Sequence, residues 1–317
     1  MIANKRIFIT GGAGFIGTHV VSRLIDRNQI VVYDNLRRNS IKDTDLLSHP
    51  NLTLVVGDVL DFPKLRDSVQ DCDIVLHMSA IAGINTVIRS PTTTMEVNIL
   101  GTHNLLKAIQ PHIKNIVRFV YFSTSEVFGS FAYRSEEKHS TNLQPVGEAR
   151  WTYAVSKLAG EHLTNSYYVE FGLPVVLLRP FNVYGPGQVG EGAIHVFIKR
   201  AINNDPIEIH GDGDQVRSWC YIDDMVDGIM LALEKEAAIG NVFNIGDPLG
   251  TLTIRSLAEK VIRLANSQSQ IVHVPKNYVD VELRIPNIQK ARGLLGYQPN
   301  VDLDTGLSRT IEWYRGR

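Results

Sequence analysis

The stretch KRIFITGGAGFIG, residues 5–17, decides the fold of this chain. A short apolar run leads into closely spaced glycines and then into a helical pattern, which predicts a strand, a tight turn and a helix N-terminus. Gly12, Gly14 and Gly17 have the spacing of a dinucleotide-binding turn. Glycine permits a positive φ and a close approach to a pyrophosphate, whose charge a helix N-terminus favours. A glycine-rich turn without a ligand would show the same spacing.

Two later strand ends favour a nucleotide site over a ligand-free turn. The apolar run 30–33 ends in Asp34, roughly 20 residues after the glycines, where an acidic side chain would accept hydrogen bonds from a ribose. The run 52–56 ends in Gly57-Asp58-Val59, so a polar residue again follows a strand. In an open parallel sheet this carboxyl edge is where ligands bind. We therefore predict that the chain binds a nucleotide there.

Length and charge set the class of protein. The chain has 317 residues and a net charge of −1, which suggests one large or two medium domains and gives no sign of a nucleic-acid or membrane-surface partner. No segment approaches the roughly 18 apolar residues of a membrane span, so we expect a soluble, cytoplasmic protein. Cys72 and Cys220 lie far apart and the histidines form no ligand cluster, which predicts reduced thiols and no metal.

The order of the predicted elements indicates an α/β fold. Strands are predicted at 30–33, 52–56, 73–77, 117–123 and 174–179, and helices at 62–69, 93–109 and 153–170. Strands that alternate with crossover helices form a doubly wound parallel sheet, which we assign to residues 1–180. Residues 181–317 are expected to form mainly a smaller, discontinuous C-terminal domain. Its segment 223–246 is expected to return to the main sheet, and further helices are predicted at 256–264, 287–295 and 307–314.

Tyr153 and Lys157 form a Tyr-x-x-x-Lys pair, which shares one face of a helix. A lysine beside a phenol stabilises the phenolate, and an oxidised nicotinamide would add a second positive charge. The pair is weak evidence by itself, because exposed helices carry such pairs by chance. The strand before it ends in Ser123-Thr124-Ser125-Glu126, which places hydroxyls and a carboxylate at the same edge of the sheet.

With these motifs assembled, the chain resembles the extended short-chain dehydrogenase/reductase family, and within it the nucleotide-sugar epimerases, dehydratases and decarboxylases. The resemblance covers nearly the whole length. It is carried by GGAGFIG at 11–17, DNL at 34–36, GDV at 57–59, HMSA at 77–80, Asn98 with Gly101-Thr102, STSEVFG at 123–129, YAVSK at 153–157 and RPFNVYGP at 179–186. The resemblance implies a Rossmann-type domain that binds NAD, followed by a substrate-binding domain.

The family's cofactor residues match positions throughout the first half of this chain. The resemblance implies that the pyrophosphate lies against Gly11, Gly14, Phe15, Ile16 and Gly17. It implies further cofactor contacts, with the adenosine ribose, the adenine and the region toward the nicotinamide, from Asp34, Asn35, Asp58, Val59, Ser79, Ala80, Asn98, Ser123, Tyr153 and Lys157. Arg37 and Arg38 could neutralise a 2′-phosphate, which leaves NADP open beside NAD.

The resemblance also implies the catalytic residues, which are Thr124, Ser125, Glu126, Tyr153 and Lys157. Tyr153 would take the proton of the sugar O4, Lys157 would lower the pKa of that tyrosine, and Thr124 would hydrogen-bond the reacting oxygen. The substrate is implied to be a nucleoside-diphosphate sugar, with a UDP-sugar favoured. Asn182, Arg217 and Arg284 are its implied contacts, although a solvated position is as common for an arginine as a site role.

Two residues depart from a simple assignment. Glu191 lies in the expected substrate loop, where it has no evident role and would repel a uronate if it faced the sugar. Phe128 stands where the family usually has tyrosine, so we expect packing rather than chemistry from this ring.

The leading hypothesis is an enzyme that oxidises C4 of the sugar with bound NAD and then acts at C5 or C6. Glu126 would serve as the base at C5, which places dehydration slightly ahead of decarboxylation, and simple UDP-hexose 4-epimerisation is the close alternative. The segment DVELR at 280–284 is similar to a decarboxylase segment whose arginine is implicated in catalysis. A hypothesis of another class is a sensor that binds a dinucleotide without turnover. The family also implies a homodimer, formed through the helices at 93–109 and 153–170.

Overall fold

A seven-stranded parallel sheet forms the centre of the computed structural model, which describes residues 2–276 and 278–317. The strands, in chain order, are β1 (Arg6–Thr10), β2 (Gln29–Asp34), β3 (Leu52–Val56), β4 (Ile74–His77), β5 (Arg118–Phe122), β6 (Phe131–Ser135), β7 (Val175–Pro180), β8 (Val183–Tyr184), β9 (Ile207–His210), β10 (Val216–Ser218), β11 (Cys220–Tyr221), β12 (Asn241–Ile245), β13 (Thr251–Thr253), β14 (Ile271–Val274) and β15 (Leu283–Pro286). The large sheet has the order β12-β7-β5-β4-β1-β2-β3, and its paired strands run parallel.

Helices connect these strands and cover both faces of the large sheet. In chain order they are α1 (Phe15–Leu24), α2 (Phe62–Ser68), α3 (Ile84–Arg89), α4 (Pro91–Met95), α5 (Gly101–Ile109), α6 (Thr152–Phe171), α7 (Ala193–Ile202), α8 (Ile222–Glu234), α9 (Ile254–Leu264), α10 (Gln289–Leu295) and α11 (Leu303–Arg315). The predicted α/β class and doubly wound parallel sheet are confirmed. Within the described residues, no helix combines the length and the apolar character that a membrane crossing needs.

Both faces of the central strands are buried, which explains their continuous apolar sequences. On β1, Ile7 and Ile9 pack into one core cluster and Phe8 packs into a second cluster on the opposite face. On β5, Val120 belongs to the first cluster and Tyr121 to the second. Side chains alternate between faces along a strand, so a run with no polar residue is what a sheet covered on both sides requires.

A smaller sheet combines segments from the two halves of the chain. Its order is β13-β10-β15-β6, with β6 paired in parallel to β15. Conversely, β12 comes from the C-terminal half and pairs with β7 at the edge of the large sheet. The division of the chain into domains 1–180 and 181–317 stays a prediction.

The helix predicted over 93–109 is interrupted by a π-helical turn. Residues Glu96–Leu100 form this turn between α4 and α5. The turn carries Asn98, whose buried amide oxygen accepts a hydrogen bond from the backbone N–H of Ile81 (2.8 Å). A π turn inserts one residue into a helix and occurs often at functional sites, and hydrophobic periodicity does not reveal it.

Close packing between α6 and β5 depends on Gly160. A Cβ atom at this position would lie 1.9 Å from the hydroxyl oxygen of Tyr121, whereas a Cβ at Gly293 in α10 would meet nothing within 4 Å. We expect Gly160→Ala to lower the free energy of unfolding by about 1–3 kcal/mol through overpacking. Gly293→Ala is the matched control, and it should raise stability by up to about 1 kcal/mol. Urea denaturation measures both values, and equal effects of the two substitutions would contradict this packing argument.

Candidate active site

A cleft of about 770 Å³ lies along the carboxyl edge of the large sheet. Residues that follow β1, β4, β5 and β7 line its floor, and residues of the smaller C-terminal region line the opposite wall. The cleft therefore collects most of the strand-end residues that the sequence singled out. Its lining includes Gly11, Gly14, Phe15, Ile16, Gly17, Ala80, Ser123, Thr124, Ser125, Glu126, Tyr153, Lys157, Asn182, Arg217 and Arg284.

The glycine turn after β1 is shaped for contact between backbones. Gly11 has a φ of 71°, and a Cβ there would lie 2.6 Å from the backbone nitrogen of Ser79. A Cβ at Gly17 would lie 2.6 Å from the carbonyl oxygen of Gly11, so neither position accepts a side chain. Gly14 precedes α1 and no side chain caps this helix, which leaves N–H groups of its first turn directed at the cleft. This arrangement suits an anion.

Asp34 is held at the end of β2 by backbone hydrogen bonds. Its two carboxylate oxygens accept from the N–H groups of Ala13 (3.1 Å) and Leu36 (2.7 Å). Burial raises the pKa of this carboxyl, and the two backbone donors oppose that effect. Nearby, the Asn35 amide donates to the Asp58 carboxylate (3.3 Å). The fixed carboxylate has lone pairs left over for hydroxyl groups of a ligand.

A buried hydrogen-bond network connects the next strand ends. The Ser79 hydroxyl donates to Thr10 Oγ1 (3.0 Å), which is also hydrogen-bonded to His77 (2.7 Å). The Asn98 amide donates to the Ser156 hydroxyl (2.9 Å), which links the π turn to α6. Ala80 lies in the cleft between these groups, while Val59 is buried against Gly101. The network holds the cleft floor rigid.

Tyr153, Lys157 and Thr124 come together as their sequence order predicted. Burial raises the pKa of Tyr153, the charge of Glu126 adds to that effect, and a hydrogen bond with Thr124 opposes it. Lys157 is almost completely buried, and burial lowers the pKa of its ammonium to about 7. Its Nζ lies 4.3 Å from the centre of the Tyr121 ring. A lysine with such a pKa is a cation whose charge is sensitive to what binds beside it.

Glu126 lies in an ion pair that no pattern in the sequence predicts. Its Oε2 accepts from Nη1 of Arg150 (2.6 Å), its Oε1 accepts from Nη2 (3.1 Å), and Arg284 approaches Oε1 at 3.5 Å. Burial alone would raise the pKa of Glu126, but the charges of these arginines hold it at about 2. Arg150 precedes Tyr153 by three residues, and nothing in its composition or spacing separates it from a surface arginine. The carboxylate is consequently a very weak base.

The two predicted substrate arginines differ in how they are partnered. Arg217 donates to the carbonyl oxygen of Val281 and approaches the Asp280 carboxylate at 3.3 Å, so protein groups occupy much of its guanidinium. Arg284 is buried, and only its Nη1 has protein partners, namely Glu126 and Asn182. Its Nε and Nη2 have no hydrogen-bond partner among residues 2–276 and 278–317. Arg284 therefore keeps two buried donors without a protein partner within these residues, whereas the Arg217 guanidinium is largely satisfied by the protein.

Glu191 closes one wall of the cleft. Its carboxylate accepts hydrogen bonds from the N–H of Asn85 (2.8 Å) and from the N–H and hydroxyl of Thr86 (3.2 and 2.6 Å). It therefore ties the loop before α7 to the first turn of α3. Arg38 supports the same wall by donating to the carbonyl oxygen of Ala82 (2.8 Å). The Glu191 carboxylate, whose role the sequence left open, is thus bound to Asn85 and Thr86. Arg38, which could have neutralised a 2′-phosphate, is directed to Ala82.

Phe128 packs within the protein, as expected of a ring without a hydroxyl. It is buried in a small cluster with Val127, Ala132 and Phe181. The Arg179 guanidinium lies 4.9 Å from its ring centre and forms two hydrogen bonds with Glu161 (2.8 and 2.7 Å). The ring thus shields a buried ion pair.

Within the described residues, no group of three or more His, Cys, Asp or Glu side chains could hold a metal ion.

Comparisons with known proteins agree with this geometry. The sequence model of the NAD dependent epimerase/dehydratase family matches residues 7–246. A UDP-N-acetyl-α-D-glucosaminuronate decarboxylase of Bacillus cytotoxicus is 32% identical, with 98% of each chain covered. A dTDP-D-glucose 4,6-dehydratase of Homo sapiens is 34% identical over 98% of this chain and 90% of the relative. A solved UDP-glucuronic acid 4-epimerase of Bacillus cereus, in complex with UDP-glucuronic acid and NAD, is 32% identical with a TM-score of 0.88 and covers 98% of this chain and 99% of its own.

The buried lysine makes stability depend on pH in a way that can be measured. A lysine of the unfolded chain keeps its proton to about pH 10, whereas Lys157 of the folded chain releases it near a pKa of about 7. Between these values the unfolded state binds more protons, so the free energy of unfolding rises with pH. Lys157→Met removes this contribution. We expect the stability of the natural protein relative to the variant to grow by about 1 kcal/mol per pH unit from about pH 7.5 to 9.5.

Urea denaturation of the cofactor-free proteins at several pH values measures this difference. Lys64→Met, at an exposed position in α2, serves as the control and should parallel the natural protein throughout. A difference between Lys157→Met and the natural protein that stays constant with pH would show that Lys157 remains charged in the folded chain.

Proposed function

Because the chain belongs to the NAD-dependent epimerase/dehydratase family, we propose that it decarboxylates a nucleoside-diphosphate uronate, with a UDP-sugar as the substrate class. It is an enzyme that modifies a nucleotide sugar by way of NAD-dependent oxidation at C4, and this removes the sensor hypothesis. The proposal concerns the step that follows this oxidation. Its main support is the ion pair that leaves Glu126 without basicity.

The residues present fit a bound dinucleotide. The turn at Gly11 is a cradle that a Cβ would fill, the first turn of α1 offers N–H groups to the pyrophosphate, and Asp34 would accept from the adenosine ribose. Asn35, Asp58 and Val59 would flank the adenine, while Ser79, Ala80, Asn98 and Ser123 would lie toward the nicotinamide. Bound NAD supplies the hydride acceptor, and later the hydride donor, for the sugar carbon.

Tyr153 is the proposed base for the sugar O4. Its pKa is raised in the cofactor-free protein, so it needs positive charge nearby before it takes a proton near neutral pH. Lys157, one helical turn further along α6, would supply part of that charge, and Thr124 hydrogen-bonds the phenol and would hold the reacting oxygen. This step is common to decarboxylation, dehydration and epimerisation.

The step at C6 distinguishes the candidate reactions. Oxidation at C4 turns a uronate into a β-keto acid, in which the C5–C6 bond breaks, carbon dioxide leaves, and the electron pair forms the enolate of the C4 ketone. A proton from water then adds to C5 and restores the ketone. No base has to act, whereas loss of water from a hexose needs a base that removes the C5 proton. A carboxylate whose pKa is held at about 2 serves the first reaction better than the second.

The charge of the pocket supports an anionic sugar. Three buried arginines, Arg150, Arg217 and Arg284, face two carboxylates, Glu126 and Asp280, in one cluster. Arg284 carries unpartnered donors beside Tyr153 and Glu126, at the end of the cleft where the chemistry takes place. A guanidinium with free donors suits a carboxylate. Asn182 would contact the sugar nucleotide beside it, and Arg217 would contribute charge toward the diphosphate.

The position of Glu191 does not argue against a uronate as the substrate. Both of its oxygens are occupied by Asn85 and Thr86, so the carboxylate faces the protein rather than the sugar. This contact and the weak basicity of Glu126 support our proposal of decarboxylation over dehydration, whereas the sequence had favoured dehydration slightly.

Epimerisation of a uronate at C4 is the second candidate. The same arginines would hold the uronate, and the similar Bacillus cereus structure binds UDP-glucuronic acid.

We further propose a homodimer, formed through α6 and through the segment 93–109, which includes the π turn and α5. Leu100, Val155 and Val169 expose apolar side chains there, with 49%, 38% and 72% of their surface accessible.

The deciding experiment supplies the NAD-loaded protein with UDP-glucuronate and, separately, with UDP-glucose, and identifies products by mass spectrometry. We expect UDP-glucuronate to lose carbon dioxide and UDP-glucose to react poorly. Glu126→Gln should still release carbon dioxide, because the proposed step needs no base. An isomer of unchanged mass would establish the epimerase, and loss of water from UDP-glucose that Glu126→Gln abolishes would establish the dehydratase.

Cofactor choice follows from the fixed carboxylate of Asp34. A 2′-phosphate on the ribose would meet this charge, and Arg38 is directed to the carbonyl oxygen of Ala82 instead of offsetting it. We expect calorimetry to show tighter binding of NAD than of NADP, and Asp34→Asn to narrow the difference, because like charges in contact are costly. Arg37→Met is the control and should leave the preference unchanged. Preference for NADP in the natural protein would show that Arg37 dominates.

A further inference from the structure

A short helical turn, Ala149–Trp151, delivers Arg150 to the active site directly before α6 begins. The guanidinium is buried with only 3% of the residue accessible, and it binds both oxygens of Glu126. We infer that Arg150 is a positioning residue, which neutralises the Glu126 charge and so lets Tyr153 ionise in the working pH range. This role concerns the C4 oxidation, so it does not depend on whether carbon dioxide, water or neither is lost afterwards.

Glu126 and Tyr153 both line the cleft. Burial and the Glu126 charge oppose ionisation of the phenol and raise the pKa of Tyr153, whereas the charges of Arg284 and Arg150 favour ionisation. Without a partner, a buried carboxylate would make a phenolate beside it costly. The Glu126 charge would therefore hinder ionisation of Tyr153 unless a nearby cation neutralises it.

The geometry identifies Arg150 as the main compensating cation. Its two contacts with Glu126 are 2.6 and 3.1 Å, whereas the single Arg284 contact is 3.5 Å and leaves Nε and Nη2 unpartnered. Two parallel N–H donors on one carboxylate form the strongest arrangement that an arginine makes with an acid. Arg284 therefore remains available to a ligand because Arg150 holds Glu126.

Other polar, charged or titratable groups from several elements surround Glu126, Arg150 and Tyr153. They are Thr124 and Tyr121 from β5 and its end, Lys157 and Glu161 on α6, Tyr278, Asp280 and Arg217 from the C-terminal region, and Arg284 on β15. Asp280 lies 3.7 Å from Arg150 and 3.3 Å from Arg217. It is therefore shared between two arginines and does not neutralise Arg150 alone.

The test is a double-mutant cycle read by its pH dependence. The proteins are the natural sequence, Arg150→Met, Glu126→Gln and the double variant, all loaded with NAD. Mixing each with the sugar nucleotide that it oxidises and following reduction of the bound cofactor in a single turnover isolates the C4 step. The rate should rise with pH as Tyr153 loses its proton, which defines an apparent pKa for each protein.

Opposite shifts are expected from the two single variants. Arg150→Met leaves the Glu126 charge uncompensated and should move the apparent pKa up by about one unit or more, whereas Glu126→Gln leaves a cation and should move it down. The double variant should return close to the natural value. Arg150→Lys keeps the positive charge but cannot donate two parallel hydrogen bonds to Glu126. Its apparent pKa should therefore lie between those of the natural protein and Arg150→Met.

A merely structural ion pair would behave differently. Breaking it would lower the rate or the yield of folded protein, but the apparent pKa would stay in place in all four proteins. Should Arg150→Met fail to fold, Glu126→Gln and the double variant still decide, because the inference requires a downward shift in one and its reversal in the other. Arg292→Met, which removes an exposed arginine on α10, controls for loss of net charge. An upward shift in that control as large as the shift in Arg150→Met, or no downward shift in Glu126→Gln, would overturn the inference.

Discussion

The parallel arrangement of the large sheet is the constraint on which the site depends. Since all its strands point the same way, the residues that follow them meet at one edge, whatever their distance in the sequence. Gly11 after β1, Asp34 at the end of β2 and Thr124 after β5 owe their proximity to this rule alone. Both faces of the sheet are covered by helices, so the edge is the place left for a ligand to reach the strands.

In and around the cleft, almost every buried charged side chain is paired with an opposite charge. Glu126 pairs with Arg150, and Glu161 pairs with Arg179 through two hydrogen bonds. Lys157 has no carboxylate within ion-pair distance in the described parts of the chain. Burial works against its charge and lowers its pKa to about 7. The fold thus leaves a buried lysine without a carboxylate partner one helical turn from Tyr153, the proposed base.

The choice among related reactions rests on few side chains placed on a shared frame. In the proposed mechanism, hydride removal at C4 would use Tyr153, Lys157 and Thr124, and the next step would depend on the groups near C5 and C6. The candidates for these groups are a carboxylate paired with an arginine and an arginine with unpartnered donors, Glu126 and Arg284. Without Arg150 the carboxylate would be a stronger base, so the ion pair bears on both the proposed reaction and the proposed ionisation of Tyr153.

The sequence by itself determined the fold and most of the cleft lining. Glycine spacing at 11–17, acids at strand ends and the Tyr153–Lys157 pair are local patterns, in which spacing along the chain already implies geometry on a turn or a helix face. Tertiary structure decided which charges meet. Arg150 and Glu126 are 24 residues apart, and Glu191 and Thr86 are 105 apart, so no periodicity joins them. The first pairing lowers the basicity of Glu126, because an ionisable group takes its pKa from the neighbours that folding supplies. The second fixes the Glu191 carboxylate on the backbone and hydroxyl groups of α3.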